Sequence, residues 1–310
     1  MNKPILIVIT GPTASGKSAL AVDLAKKLST EVISADSRQI YKGIPIVTAT
    51  PSEEEKKGVT HHLLEFLPLE AYYSAAKFQE DAFSLLNNIF ERNQYAIVCG
   101  GSMLYIDALV KGIDNLPTVS EELRGKLTED WKQNGDEWLL SRLQELDATY
   151  YNKVDHRNLK RVFHAVEVSL TANTPYSSLL TGNINVKTDL PFDVVKICLN
   201  GERNELFSRI NQRVLNMVKN GLIEEAGRVY PKRHLNSLNT VGLKEIFAYF
   251  EGVFSKEEAI ARIQKNTRVY AKKQLTWHKR DENIVYLDFS ETSIRNIAEI
   301  EKLMISRQKI

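Results

Sequence analysis

The chain has 310 residues, a formal net charge of +2, a 43% hydrophobic share and 26% charged residues, which suits a water-soluble protein of one large or two ordinary domains with a real core. No apolar stretch approaches the roughly eighteen residues of a membrane span, and the chain runs straight into a predicted strand with no leader sequence in view. Its two cysteines, Cys99 and Cys198, sit in apolar runs, so they read as free thiols in a reducing, cytoplasmic setting, without a disulfide framework or a Cys-based zinc module.

Ile5–Thr10 predicts the first strand. It leads into Gly11-Pro12-Thr13-Ala14-Ser15-Gly16-Lys17-Ser18, a G-x-x-x-x-G-K-S pattern, and then into a predicted helix over Lys17–Leu28 with Leu20, Ala21, Leu24, Ala25 and Leu28 on one side. Such a loop binds phosphate mainly through its backbone. Gly11 and Gly16 let it turn tightly and expose N–H groups, and the helix start adds its positive end. Lys17 brings a point charge, and the Ser18 hydroxyl can ligate Mg²⁺. The chain is therefore expected to bind a phosphate ester.

A second strand is expected over 31–35, followed by Asp36-Ser37-Arg38-Gln39-Ile40-Tyr41-Lys42-Gly43. At the exit of that strand Asp36 should face the phosphate loop, where a carboxylate can accept a proton or meet Mg²⁺ through water; a turn-capping Asp is the plainer alternative. His61-His62 falls on a predicted loop with no Cys or carboxylate at ligand spacing, which favours a polar contact to substrate over a metal site. A helix over 74–91, a strand over Tyr95–Cys99 and a helix over 102–110 follow. Between the last two stand Gly100, Gly101 and Ser102, the serine being placed to cap the helix or to reach a substrate. Strands alternating with helices predict a parallel sheet with its ligand at the carboxyl ends of the strands.

The texture changes near Leu116-Pro117-Thr118. Residues 120–170 show helix patterns only, with a start at Ser120-Glu121-Glu122 and a second strong helix over 157–170. Residues 171–188 are rich in Thr, Asn, Ser and Gly and read as flexible. A strand returns over 192–199, and mostly helical segments follow, including one long helix over 255–278 with a basic side. Residues 117–187 thus read as a helical insertion in an α/β core made of 1–116 and 188–310.

Charge is uneven along the chain: residues 1–150 carry 15 Lys and Arg against 21 Asp and Glu, and residues 151–310 carry 26 against 18. A basic half beside a phosphate-binding half suggests a polyanionic second partner. Arg157, Lys160 and Arg161 cluster at a helix start, where they oppose the macrodipole, which suggests an external anion. Arg268, Lys272, Lys273 and Arg280, interleaved with Tyr270 and Trp277, suit nucleic acid, although Trp277 also fits a core position. Arg209 and Arg213 lie one helical turn apart, and either could clamp a diphosphate; pairing with Glu205 is the plainer alternative. After the third strand Cys99-Gly100-Gly101 stands where a Walker B carboxylate would be, which weakens a nucleotide-kinase reading.

With these motifs, in this order, the chain resembles the bacterial tRNA isopentenyltransferases, also called tRNA dimethylallyltransferases. GPTASGKS at 11–18, DSRQIYKG at 36–43, GGSMLY at 100–105, NTVGLK at 239–244 and TRVYAKKQLTW at 267–277 carry the resemblance over nearly the full length. It implies a P-loop NTPase-like parallel-sheet core with a helical insertion that grips the anticodon stem. It also implies transfer of a dimethylallyl group from dimethylallyl diphosphate to N6 of the adenosine 3′ of the anticodon, with Mg²⁺ as cofactor. Carried over by motif, the catalytic residues are Asp36 as general base or orienter, Ser102 at the family's usual Thr position, and Arg213 on the diphosphate. Asp36, Ser37, Arg38, Gln39, Arg157, Asn158, Leu159, Lys160, Arg161, Asn239, Thr240, Val241, Gly242, Leu243 and Lys244 fall where the family touches tRNA, and His61, Ser102 and, more loosely aligned, Arg124 join them.

Other readings are a P-loop small-molecule kinase, which would turn over ATP and have no use for the basic half, and a non-enzymatic RNA-binding P-loop protein. A third, prenylation of free adenosine nucleotides, leaves the basic insertion and tail without a role. The expected partners are tRNA and dimethylallyl diphosphate, with no membrane, and the expected state is a monomer.

Overall fold

The computed structural model describes residues 3–114, 116–180 and 190–308. In chain order the strands are β1 (Ile5–Thr10), β2 (Val32–Ser34), β3 (His61–His62), β4 (Tyr95–Cys99), β5 (Asp193–Asn200) and β6 (Ile284–Asp288). The α-helices are α1 (Lys17–Leu28), α2 (Pro45–Thr48), α3 (Glu53–Lys56), α4 (Ala75–Phe90), α5 (Met103–Lys111), α6 (Glu121–Leu146), α7 (Ala148–Tyr151), α8 (Leu159–Ala172), α9 (Tyr176–Leu179), α10 (Arg203–Lys219), α11 (Leu222–Val229), α12 (Leu243–Phe250), α13 (Lys256–His278) and α14 (Ser293–Gln308). The chain divides into two compact units, Met1–Val110 with Asp189–Ile310, and Lys111–Thr188.

The first unit is built on one parallel sheet in the order β3-β2-β4-β1-β5-β6. β1 is central, with Ile7 opposite Ile97 of β4 on one side and Val195 of β5 on the other. All six of its residues are buried, as a strand covered on both faces by crossover helices must be. One core cluster joins β1, β4 and β5 to α1 and α14, with Leu20, Leu24, Ile297 and Ile300 among its buried side chains. A second joins α2, α10, α11, α12 and α13 around Ile44, Val214, Leu222, Leu243 and Ile263. The loops that leave β1, β2 and β4 at their carboxyl ends meet where the sheet order reverses, the usual ligand position in such sheets.

The second unit has its own core, in which Leu127, Leu139 and Leu143 of α6 meet Val162, Ala165 and Val166 of α8. α6 is broken at Gly135, whose φ of 81° is left-handed.

The helix starts follow the chain's capping chemistry: Ser74, Ser120 and Ser255 each accept a backbone N–H three residues on. The helix expected over 157–170 begins at Leu159 instead, because Asn158 caps it, and it runs on to Ala172. Three expectations need correction. His61-His62 is not a loop but the edge strand β3, in register with Val32 and Ile33; two residues are too few to show an alternating pattern. The stretch expected to be flexible from 171 contains the end of α8 and all of α9, because Ser169 accepts the Tyr176 amide and Asp147 accepts both the amide and the hydroxyl of Ser177. Residues 181–189, where that stretch and the expected insertion end, lie outside the described residues. The expected strand over 31–35 is shorter, Val32–Ser34.

Gly100 sits where β4 turns into the site. A Cβ there would fall 2.1 Å from the Ala35 carbonyl oxygen, a backbone atom that cannot move aside alone. Gly100→Ala should therefore lower stability by about 2 kcal/mol or more, measured as a lower urea midpoint at unchanged slope. An unaltered midpoint would mean that this close approach is not a constraint.

Candidate active site

The phosphate-loop sequence folds as a turn wrapped around backbone amides. Ala14 and Gly16 have φ of 65° and 86°, and the backbone then enters α1 at Lys17. Gly11, with φ of 145°, is packed so closely that a Cβ would lie 2.5 Å from the Leu199 carbonyl oxygen of β5. Ser15 is 1% exposed, yet its hydroxyl has no hydrogen-bond partner. A buried hydroxyl of this kind costs free energy unless something supplies a partner, so a loop that keeps one is shaped for a ligand.

A cavity of about 160 Å³ opens beside this loop. Its polar end holds Thr13, Lys17, Ser18, Asp36, Arg213 and Gln274. The Lys17 ammonium reaches only the Pro12 carbonyl, at 3.4 Å, and Arg213 reaches the Thr13 hydroxyl, at 3.3 Å. Among the described residues neither cation has a salt-bridge partner. Burial pushes the Lys17 ammonium below its ordinary range, an effect that nearby Arg213 adds to, and burial lowers Arg213 as well. Two half-buried cations without carboxylate partners favour an anion between them.

Among the described residues Asp36 is the only acidic side chain lining the cavity. One of its oxygens accepts the Arg38 amide at 2.9 Å and the Gln39 amide at 3.4 Å. Asp36 is thus a turn-capping residue, and its other oxygen is left without a hydrogen-bond partner among the described residues. Ser102 does not spend its side chain on capping α5. Its hydroxyl oxygen accepts the Ser37 amide at 2.7 Å and ties the loop after β4 to the loop after β2.

The two arginines of α10 part company. Arg209 pairs with Glu205 at 2.7 Å and stacks on Phe289, away from the cavity lining, whereas Arg213 lines the cavity. Arg38 donates to the Asn236, Ser237 and Asn239 carbonyls, and Gln39 donates to the Thr48 and Ala49 carbonyls. Both residues therefore build the wall, together with Thr240, Val241 and Gly242; Leu243 is core, and Lys244 is exposed.

The remaining expected site residues lie elsewhere. His61 donates from Nδ1 to the Val59 carbonyl on the sheet edge, and His62 pairs with Glu31; neither lines the cavity. In the second unit Arg124 makes a two-toothed bond to buried Glu167 at 2.8 and 3.0 Å. Asn158 caps α8 and Leu159 packs on its core, while Arg157, Lys160 and Arg161 are exposed, with no salt bridge among the described residues.

Gln274 was not expected. It is 1% exposed, accepts the Thr13 amide at 3.0 Å and donates to the Gly101 carbonyl at 3.0 Å, so it fastens the phosphate loop to the loop after β4. One turn on, His278 hydrogen-bonds the Thr10 hydroxyl at 3.1 Å, and Thr10 donates to the Gly100 carbonyl. Burial pushes His278 down to about 4, so the ring is neutral at pH 7 and donates to Thr10. The readable signal is two polar residues four apart on the buried stripe of α13.

The model of the family described as IPP transferase matches residues 39–281. The chain is 47% identical over 279 residues to a protein of Azobacteroides pseudotrichonymphae named tRNA dimethylallyltransferase 2, covering 90% of each. It is 46% identical to a protein of the same name from Parabacteroides distasonis, covering 93% of this chain and 95% of that one. Its fold matches the crystal structure of a full-length tRNA isopentenylpyrophosphate transferase from Bacillus halodurans, with a TM-score of 0.73, 34% identity and coverage of 99% and 97%. With the phosphate loop, the facing carboxylate and these matches over most of its length, the chain belongs to the IPP transferase family, a family of prenyltransferases.

Proposed function

We propose that the chain transfers a dimethylallyl group from dimethylallyl diphosphate to N6 of the adenosine 3′-adjacent to the anticodon in tRNA, and releases diphosphate. The observation that carries this reading is the pair of unbridged cations, Lys17 and Arg213, facing one cavity with the half-free carboxylate of Asp36. The N6 lone pair attacks C1 of the allylic chain. The C1–O bond breaks and its electron pair leaves with the diphosphate. The proton shed by N6 goes to Asp36. Negative charge grows on the leaving group, where Gly11, Pro12, Thr13, Ala14, Ser15 and Gly16 present the loop and Lys17 and Arg213 bring positive charge.

The adenine amine is a weak nucleophile, so orientation matters. Ser102 accepts from Ser37 and so keeps its own O–H proton to offer to the base. Ser18 lines the cavity beside Lys17 and offers the hard oxygen that Mg²⁺ prefers. Mg²⁺ held there would neutralise part of the diphosphate charge.

The target base must leave its stack to reach the cavity. Asp36 to Gln39 with Asn239, Thr240 and Lys244 form the rim at which it arrives, held together by Arg38. Arg157, Lys160 and Arg161 of the insertion take the phosphate backbone of the anticodon stem. Arg124 supports them through Glu167, and His61 takes a peripheral contact. The enzyme acts as a monomer, and its tRNA substrate puts it in the cytoplasm. Incubation with unmodified tRNA, dimethylallyl diphosphate and Mg²⁺, followed by nucleoside mass analysis, tests the reading. It predicts N6-isopentenyladenosine; ATP turnover without that product would contradict it.

Because Asn keeps the turn-capping oxygen but cannot take the proton, Asp36→Asn should lower kcat by about 10²–10⁴ with tRNA affinity nearly unchanged; equal losses would refute its role as base. Arg213→Ala or Lys17→Ala should raise KM for the diphosphate and lower kcat by about 10²-fold or more, while Arg209→Ala has little effect. Similar kinetics for Arg209→Ala and Arg213→Ala would remove the distinction between them. Neutralising Arg157, Lys160 and Arg161 together should weaken tRNA binding and reduce the slope of log affinity against log salt by up to about 3. An unchanged slope would return them to ordinary surface charge.

A further inference from the structure

The cavity has a direction. At one end Arg213 and Gln274 both touch Thr13 of the phosphate loop. From there α10 and α13 run in opposite senses, joined by bonds from Gln264 and Arg268 to Asn211. Along α10 the lining residues Ile210, Arg213, Val214 and Met217 recur every three or four positions, so they form one face. Met217 stands one helical turn past Arg213, about 6 Å farther from the phosphate loop. There Val214 and Ile263 are buried in one apolar cluster, against which Val47, Met217 and Val241 pack. All five line the cavity, and none offers a charge or a side-chain hydrogen bond.

This apolar end is also stiff. Val47 rides on α2, whose Ile46 and Val47 amides donate to the buried Glu225 carboxylate at 2.9 and 2.8 Å. At the other end of α2, Gln39 donates to the Thr48 and Ala49 carbonyls at 3.1 and 3.0 Å. Val47 is also seated on Gly242, so close that a Cβ at 242 would lie 2.5 Å from its Cγ2. Size selection needs such a wall, because a wall that yields admits the longer substrate.

We infer that Val47, Val214, Met217, Val241 and Ile263 form a length gauge that restricts the donor to a single isoprene unit and turns away ten-carbon allylic diphosphates. The inference rests on the functional reading above and adds the residues that set donor size. An extended isoprenyl unit is about as long as one helical turn, ~5 Å, so it reaches from the diphosphate end to Met217 and no farther. A ten-carbon chain is roughly two such units long and would run into the wall at Met217. The reaction is the same for either donor: C1–O breaks, C1–N6 forms and the N6 proton passes to Asp36, so only the fit of the chain separates them.

The test supplies dimethylallyl and geranyl diphosphate in competition for the same unmodified tRNA and measures both products by nucleoside mass analysis. The wild-type enzyme should prefer dimethylallyl by about 100-fold or more, and Met217→Ala and Val47→Ala should each raise the geranyl-to-dimethylallyl ratio by at least about tenfold. Met217→Trp should depress dimethylallyl transfer by narrowing the same end. A competition ratio compares two donors on one population of folded enzyme, so lost stability alone does not move it, and the two Ala variants lie on separate elements should one fail to fold. Wild-type ratios in both Ala variants, or ready geranyl transfer by the wild type, would overturn the gauge while leaving the prenyl-transfer reading intact. No transfer of either group by the wild type would overturn that reading and the gauge with it.

Discussion

Lys17 and Arg213 meet at one cavity with no salt-bridge partner among the described residues, and much of the surrounding structure is arranged around that fact. Two positive charges repel more strongly in a low-dielectric pocket than in water, and burial penalises each of them. An internal carboxylate salt-bridged to either would relieve the strain and also fill the anion site. Instead, the groups that fasten the loops beside the two cations are neutral. Gln274 is an amide, Thr10 a hydroxyl, and His278 is held uncharged by burial. The Cys99 thiol beside Lys17 is likewise kept protonated, pushed up to about 11. Among the described residues Asp36 is the single lining carboxylate, with one oxygen committed to its own turn and one left over. Such a pocket leaves most of its negative charge to be brought by the ligand.

The fold supplies this arrangement from three separate parts of the chain. Parallel strands send the loops after β1, β2 and β4 to one edge, and each loop contributes a different kind of group: backbone amides, a carboxylate and a hydroxyl. α13, whose Gln274 stands 173 residues after Gly101 of the third loop, then fastens the first loop to the third through Gln274, and β1 to the third through His278 and Thr10. The remaining walls come from α10 and α2, which place aliphatic side chains beyond the cations. Polar and apolar ends in one cavity match a donor that is ionic at one end and hydrocarbon at the other.

What could be read from the residues alone was what is local. β1, the phosphate loop and α1 are adjacent in sequence, and their pattern specifies their geometry; the helix caps at Ser74, Ser120 and Ser255 are equally local. By spacing alone Arg209 and Arg213 were equal candidates, and only the resemblance singled out Arg213, although Glu205 four residues before Arg209 already hinted at its partner, whereas Arg213 has another arginine at that spacing. Features made by distant pairs were not legible. His61-His62 becomes a strand only because β2 lies beside it, and the buried stripe of α13 does not say what Gln274 and His278 will hold. Arg38 and Gln39 sit in a recognisable motif, but that their side chains end on backbone carbonyls of 236–239 and 48–49 is a property of the folded chain. Ser102 likewise spends its hydroxyl oxygen on a loop 65 residues away rather than on its own helix.

On the reading proposed above, a departing diphosphate is the missing counter-charge of Lys17 and Arg213. It is tested most directly by a crystal structure with a non-reactive thio-analogue of dimethylallyl diphosphate. The phosphates should lie within hydrogen-bond reach of the Lys17 ammonium, the Arg213 guanidinium and the Ser15 hydroxyl, with the prenyl chain directed toward Met217. An analogue bound with its phosphates away from both cations would contradict it.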